Sequence, residues 1–350
     1  MMLPAQGLQR AASTVSGLIL AIGLVVVAGL GCRRQPSGPK ATPLQITIAC
    51  PRNISTSLVI IANQKGFLAR GGDRTVLLPF ESGKAALARM LAGGADLALV
   101  AETPLAEAIL ADAQFKILAT VRQSSRDVAI VARRDRGIQA PADLRGKVIG
   151  YTKGTSGHFY LDTYCLVNKI DLGGLRLVNL PPLELRSALL DGRVDAVSTW
   201  NPHVAFLTDQ LGAGAAVFQD ETIYTELFCL VARPDFIRDH PAQVKALLEG
   251  LFRAMDFVAQ SPAEARDLVA AYTQVPPALV AQSLSRHDLK VRLDQALILG
   301  LESEGRWFLE SGAVKRRELP DVLRYIYLPA LLEVKPQAVQ VIRVEESGRP

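Results

Sequence analysis

Four cysteines, four histidines and two tryptophans among 350 residues leave this chain little of the usual equipment of catalysis or metal binding. His158, His203, His240 and His287 do not pair at metal-ligand spacing, so neither a metal nor another cofactor is expected. Cys50, Cys165 and Cys229, with Cys32 set aside below, form an odd set without metal-type spacing. That excludes a disulfide framework and makes them buried thiols. A nucleophile-elbow pattern and a phosphate-cradling glycine loop are also missing, which argues against an enzyme. The formal net charge is +5, from 39 basic and 34 acidic residues, and no basic-aromatic stripe concentrates it. The isoelectric point near 9.1 therefore describes a solvated surface rather than a nucleic-acid footprint.

What is present begins with an apolar run, 17-GLILAIGLVVVAGLG, preceded by one cation, Arg10, and no acid. A run this short, ending in small residues before Cys32, reads as an export signal over residues 1–31. Gly29-Leu30-Gly31-Cys32 resembles a bacterial lipobox, except that Gly29 stands where an aliphatic residue is usual. Cys32 is then the lipid-bearing N-terminus of the mature chain; left uncleaved, the same run is an N-terminal anchor. Either way the body lies outside the cytoplasm, in the periplasm or on the outer cell surface. Residues 32–44, polar and rich in Pro and Gly, read as a flexible tether.

The body is organised around a repeat. LARMLAGGADLALVAETP (Leu87–Pro104) is echoed by RSALLDGRVDAVSTWNP (Arg186–Pro202). Each copy ends an apolar helix, passes a glycine (Gly93, Gly192) and reaches an aspartate three residues on (Asp96, Asp195). A short apolar run follows that suits a strand buried on both faces, and then a proline, Pro104 or Pro202, placed to open the next helix. In open α/β sheets ligands bind at the carboxyl ends of strands. Glu102 and Thr103 in one copy, and Trp200 and Asn201 in the other, are thus candidates to face a shared cleft.

Around the repeat, apolar strands alternate with amphipathic helices, and the alternation starts afresh near Lys147. This predicts parallel, doubly wound sheets with right-handed crossovers, in an α/β chain of two lobes. Lobe 1 takes residues 45–127 and 227–335, lobe 2 takes 128–226, and 336–350 is a tail. Two similar runs, Val128–Asp135 and Glu226–Phe236, read as a pair of hinge strands. The stretch 241–260 carries Val244, Leu247, Leu248, Leu251, Met255 and Val258 on one helical face, which should pack on lobe 1.

Two helix starts follow strand ends directly, at Ser55-Thr56-Ser57 and at Thr155-Ser156-Gly157. Unpaired N–H groups and the positive dipole end make such starts anion sites without a formal charge. The competing reading is that Ser55 and Thr155 only cap their helices. Trp200 either covers a ligand or packs in the core. Glu102 needs a partner, either Arg126, Arg52 or the cationic end of a two-ended ligand. His158, in a first helical turn, reads as packing.

Four stretches carry a family resemblance: 92-AGGADLALVAETPLAEA, 141-PADLRGKVIGYTKGTSGHFYL, 191-DGRVDAVSTWNPHVAFL and 231-VARPDFIRDHPAQVKALLEG. By these the chain resembles the periplasmic solute-binding proteins of ABC importers, in the branch that binds nitrate, alkanesulfonates, taurine and the thiamine pyrimidine precursor. The resemblance implies a two-lobed, type II periplasmic-binding-protein-like fold whose doubly wound sheets are joined by two hinge strands. It further implies a monomer, without a nucleic-acid partner, that hands a small anionic or zwitterionic organic molecule to permease subunits. A pyrimidine binder is one alternative. An enzyme on the same fold, with Glu102, His158 and Asp127 as an acid–base set, is a second, and a membrane-coupled sensor a third.

Overall fold

A computed structural model describes residues 43–284, 289–312 and 314–342. The export signal, Cys32, most of the tether and His287 lie outside these residues. The chain runs β1 (Gln45–Pro51), α1 (Ser57–Gln64), β2 (Arg74–Phe80), α2 (Gly83–Leu91), β3 (Leu97–Ala101), α3 (Glu102–Leu110) and β4 (Lys116–Ser124). It then forms β5 (Val128–Arg133), β6 (Val148–Tyr151), α4 (Ser156–Val167), β7 (Arg176–Asn179), α5 (Pro182–Leu190), β8 (Ala196–Trp200), α6 (His203–Leu211) and β9 (Ala215–Phe218). The last part holds β10 (Glu226–Ala232), α7 (Pro234–Asp239), α8 (Pro241–Gln260), α9 (Pro262–Thr273) and α10 (Pro277–Ser283). It closes with β11 (Leu289–Asp294), α11 (Gln295–Glu310), α12 (Pro329–Val334) and β12 (Val339–Gln340).

Two sheets result, a seven-stranded one in the order β12-β11-β4-β10-β3-β1-β2 and a five-stranded one in the order β7-β6-β8-β5-β9. Each is the centre of one lobe. The sheets are mixed rather than wholly parallel: β10 runs antiparallel to both β3 and β4, and β5 runs antiparallel to both β8 and β9. The reason lies in the two chain passages between the lobes. A helix returns the chain to the starting edge of its sheet and keeps successive strands parallel, whereas a short direct link delivers it to the cleft edge, from which the next strand must run away. Accordingly β5 and β10, expected as a hinge pair, stand in different sheets, and the passages themselves are the segments 125–127 and 219–225.

The repeat occupies equivalent places. Strands β3 and β8 each lie between a parallel neighbour (β1, β6) and the incoming antiparallel strand (β10, β5). Gly93 and Gly192 both have left-handed φ, +77° and +71°, where a side chain is disfavoured. Asp96 accepts the Thr47 amide of β1 at 2.8 Å, and Asp195 accepts the Val148 amide of β6 at 2.9 Å. The far ends of β5 and β10 complete the match. Arg133 and Arg233 donate to backbone carbonyls at the ends of α5 and α2, and each is paired with an acid two residues on. The likeness between these two runs therefore comes from a shared helix-capping corner distant from any hinge.

The larger core lies on both faces of the seven-stranded sheet and takes in Leu247, Leu248 and Leu251 of α8 along its buried face. The smaller lobe divides its core between the two faces of its own sheet. Cys50, Cys165 and Cys229 are buried free thiols, and burial pushes Cys50 and Cys165 up to about 12. None is a thiolate at neutral pH.

Candidate functional site

Asn53 and Ser55 follow β1, Ser82 and Gly83 follow β2, Thr155 and Ser156 follow β6, and Trp200 ends β8. These residues line one narrow cleft between the lobes, with Lys84, Ala101, Pro104, Glu226 and Phe228. Its free volume is about 20 Å³. That is room for a water molecule, so admission of anything larger requires the lobes to part.

Three helix starts converge here rather than the two expected. The third is α2, capped by Ser82, whose Oγ accepts the Ala85 amide at 3.2 Å. Its signal in the sequence was 81-ESGK directly after a strand. Gly83 sits so close to β3 that a Cβ would fall 2.9 Å from the Val100 Cα, which brings this helix start against the strand end. The first two amides of α2 and of α4 donate to no protein acceptor among the described residues. Asn53 caps the turn before α1 by accepting the Ser55 amide at 3.1 Å. Converging amides of this kind favour an anionic group.

Beneath the cleft lies Arg122, an unforeseen member, only 3% exposed at the hinge end of β4. It donates to Asp127 at 2.8 Å and to Ser55 Oγ at 3.0 Å, and stands 3.5 Å from Glu226 Oε2. With its oxygen accepting from Arg122, Ser55 is left with its own proton to donate. Glu226 is pushed well above the usual carboxylate range, first by burial and then by Asp127, against the opposing pull of Arg122.

The other predicted residues separate into those that meet the cleft and those that do not. Thr155 lines it, yet its hydroxyl donates to the Thr152 carbonyl at 2.7 Å, so its proton is already used. Thr56 and Ser57 turn their hydroxyls onto the Asn53 and Ile54 carbonyls, behind the cleft. Gly157 serves close packing: a Cβ there would sit 2.9 Å from the Ser198 carbonyl oxygen. Trp200 belongs to the smaller lobe's core and also lines the cleft. Asn201, bonded to the Arg126 carbonyl and joined to Pro202 by a cis peptide, lines a different cavity of about 400 Å³ beside the two passages.

Glu102 and Thr103 lie away from the cleft. Helix α3 begins at Glu102 itself, two residues before Pro104, and that rotation turns the carboxylate inward. There it accepts the Tyr224 hydroxyl and the Leu227 amide, each at 2.8 Å, in place of Arg52 or Arg126. Burial raises it to about 7, beside a second buried acid, Glu304, that is raised well above the usual carboxylate range by the same cause and by Glu102. The pair ties the larger lobe to the second passage rather than to a ligand.

His158 packs as expected, tilted against Tyr151 at 4.6 Å and edge-on to Trp307 at 4.8 Å. Burial, then Lys153 and Lys84, lower it to about 4. Trp307 itself crosses between lobes, donating from α11 to Asp162 of α4 at 3.0 Å.

Known proteins match this chain along most of its length. A Bacillus subtilis (strain 168) protein, provisionally named as an aliphatic sulfonates-binding protein, is 27% identical over 258 residues, covering 72% of this chain and 76% of that protein. The taurine-binding periplasmic protein of Escherichia coli (strain K12) is 24% identical over 224 residues, covering 61% and 67%. Among solved structures, the alkanesulfonate-binding protein of Xanthomonas axonopodis pv. citri bound to MOPS superposes with a TM-score of 0.71 at 22% identity, covering 82% of this chain and 99% of that one. The fold is thus that of periplasmic binding proteins. The NMT1/THI5-like family model matches residues 53–265, more than half of the sequence, and the chain belongs to that family.

Proposed function

We propose that this chain is the extracytoplasmic solute-binding subunit of an ABC importer. It captures a small organic anion of the sulfonate class between its lobes and presents it to a permease. The observation that carries this reading is the convergence of the turn before α1 and the α2 and α4 starts on one interlobe cleft, with amides at the latter two that have no acceptor among the described residues. A sulfonate offers three acceptor oxygens to such donors, and Trp200, Ala101, Pro104 and Phe228 supply apolar wall for a short organic tail. The names of the relatives, which speak of sulfonates and taurine, support the same class; none of them favours the pyrimidine alternative. Binding without turnover fits a site whose thiols are buried away from it and whose His158 is held neutral by packing.

Calorimetry with ethanesulfonate, taurine and nitrate tests the reading. A sulfonate should bind, and Ser55→Ala or Ser156→Ala should weaken it by about 1–3 kcal/mol each, the usual consequence of removing one partner of a buried hydrogen bond. Ser156→Ala should melt close to the parent, whereas Ser55→Ala should also lose about 1 kcal/mol of stability, because the buried Arg122–Ser55 hydrogen bond goes with it. No heat with any of the three ligands would sink the sulfonate assignment. Attachment to the membrane through lipid on Cys32 belongs to the same reading, since the signal-like run stops there. Detergent partitioning of Cys32→Ser should place it in the aqueous phase or leave it unprocessed. Unchanged processing and partitioning would refute the lipid.

A further inference from the structure

Among the cleft residues, Glu226 is the one whose chemistry the anion reading leaves unexplained. It is 4% exposed, stands at the start of β10 and lines the cleft with the α2 and α4 starts. Its Oε2 accepts no hydrogen bond among the described residues. Arg122 is the nearest cation, but its 2.8 Å hydrogen bond goes to Asp127 and only a 3.5 Å approach remains for Glu226. Two carboxyls thus press on one buried guanidinium. A second full negative charge there is expensive, and it would point at the same amides that are to hold an anion.

We propose that Glu226 sits in the cleft as the uncharged acid and donates its proton in a hydrogen bond to an oxygen of the bound sulfonate, making it the residue that sets which ligands are accepted. This rests on the sulfonate reading and deepens it. A sulfonate is the anion of a strong acid and has no proton of its own, so every contact it makes must be donated to it. The α2 and α4 amides and the Ser55 hydroxyl are donors, and only the acid form of Glu226 completes the set. When Glu226 starts out ionised, binding takes one proton from solvent onto its carboxyl. That proton then lies between the Glu226 carboxyl and the sulfonate oxygen.

The groups that face Glu226 from the packed elements agree with this state. Asp127 on the first passage, Glu102 on α3, Glu304 on α11 and Tyr224 on the second passage are acids or neutral donors. Arg122 on β4 and the Ser156 hydroxyl, which donates to the carboxyl, both oppose them, and Lys84 stands at the rim, itself paired with Glu107. His203 faces Asp127 and is held neutral, at about 4, by burial and by Arg186. Burial and the neighbouring acids keep the proton on.

The test is calorimetry of the full chain with ethanesulfonate, from about pH 5.5 to about pH 9, in buffers of different ionisation enthalpy, so that proton uptake is read directly. Wild type should take up close to one proton per ligand at the alkaline end and lose affinity about tenfold per pH unit there. Glu226→Gln, which carries an N–H donor at every pH, should lose this dependence and bind more tightly than wild type at alkaline pH. Wild-type proton uptake decides the matter even where the variant folds poorly. Ethanesulfonate bound without proton exchange at any pH, and as tightly by Glu226→Ala as by wild type, would overturn the inference while leaving the sulfonate reading intact. So would a Glu226→Gln protein that loses taurine and keeps ethanesulfonate, because Glu226 would then be a carboxylate facing an ammonium. Failure of wild type to bind any sulfonate at any pH would remove the underlying reading, and this inference with it.

Discussion

Arg122→Met should lower the stability of the chain by about 3–5 kcal/mol, the usual effect of removing one member of a buried charge pair. The variant keeps most of the buried volume. What it loses is the guanidinium that contacts both Asp127 and Glu226, along with the donor that holds Ser55 Oγ. The loss should also depend on pH in a definite direction. Glu226 is already raised in the folded state and Arg122 opposes that rise, so without it the folded state holds that proton still more tightly. Stability present below the ordinary carboxylate range is then lost as pH rises, and the gap from wild type should widen from acidic to alkaline conditions. Urea denaturation across pH checks this. A uniform loss of less than about 1 kcal/mol would mean that Arg122 is effectively solvated.

Trp307→Ala should remove about 3 kcal/mol, the lower end of the range for a large aromatic, because the ring is only partly buried. The ring edges His158 at 4.8 Å and Phe159 at 5.3 Å across the lobes, and its N–H goes to Asp162. Trp307→Phe separates the two contributions. It keeps most of the apolar contact and deprives Asp162 of a donor, on a carboxyl whose Oδ1 already accepts no bond among the described residues. Burial has raised Asp162 to about 6, and losing the Trp307 bond raises it further. A group raised in the folded state contributes stability below its unfolded value near 3.8 that disappears as pH climbs through the folded one. Trp307→Phe should therefore match wild type near pH 4 and fall behind it by about 1 kcal/mol above pH 7. Thermal melts at the two pH values read this, and equal deficits at both would assign the effect to packing alone.

Much of the site was legible in the chain because it rests on local rules. A helix start directly after a strand end is written in four or five residues, which is why Ser55 and Ser156 were found. Ser82 and Gly83 obey the same rule, but their signal, 81-ESGK, is faint beside the repeat that follows it. Glu102 shows where local reading stops: a shift of two residues in the start of α3 rotates its carboxylate from the cleft edge into the lobe interior, and side-chain spacing cannot register such a shift. Thr155 shows the same at smaller scale, since a single bond to the Thr152 carbonyl takes the proton that a ligand would need.

The sequence by itself determined the two-lobed α/β architecture, the duplicated helix-Gly-x-x-Asp-strand unit and two of the three helix starts at the cleft. Each of these is fixed by periodicity, by a left-handed glycine or by a first-turn amide, and such features act over a few residues. The tertiary structure alone decided the direction of β5 and β10, the partnership of Arg122 with Asp127 and Glu226, and the crossing of Trp307 to Asp162. Those pairs, apart from the near neighbours Arg122 and Asp127, join residues more than a hundred positions apart. Their energies come from burial and charge, which depend on the neighbours that folding supplies and not on the residues next in the chain.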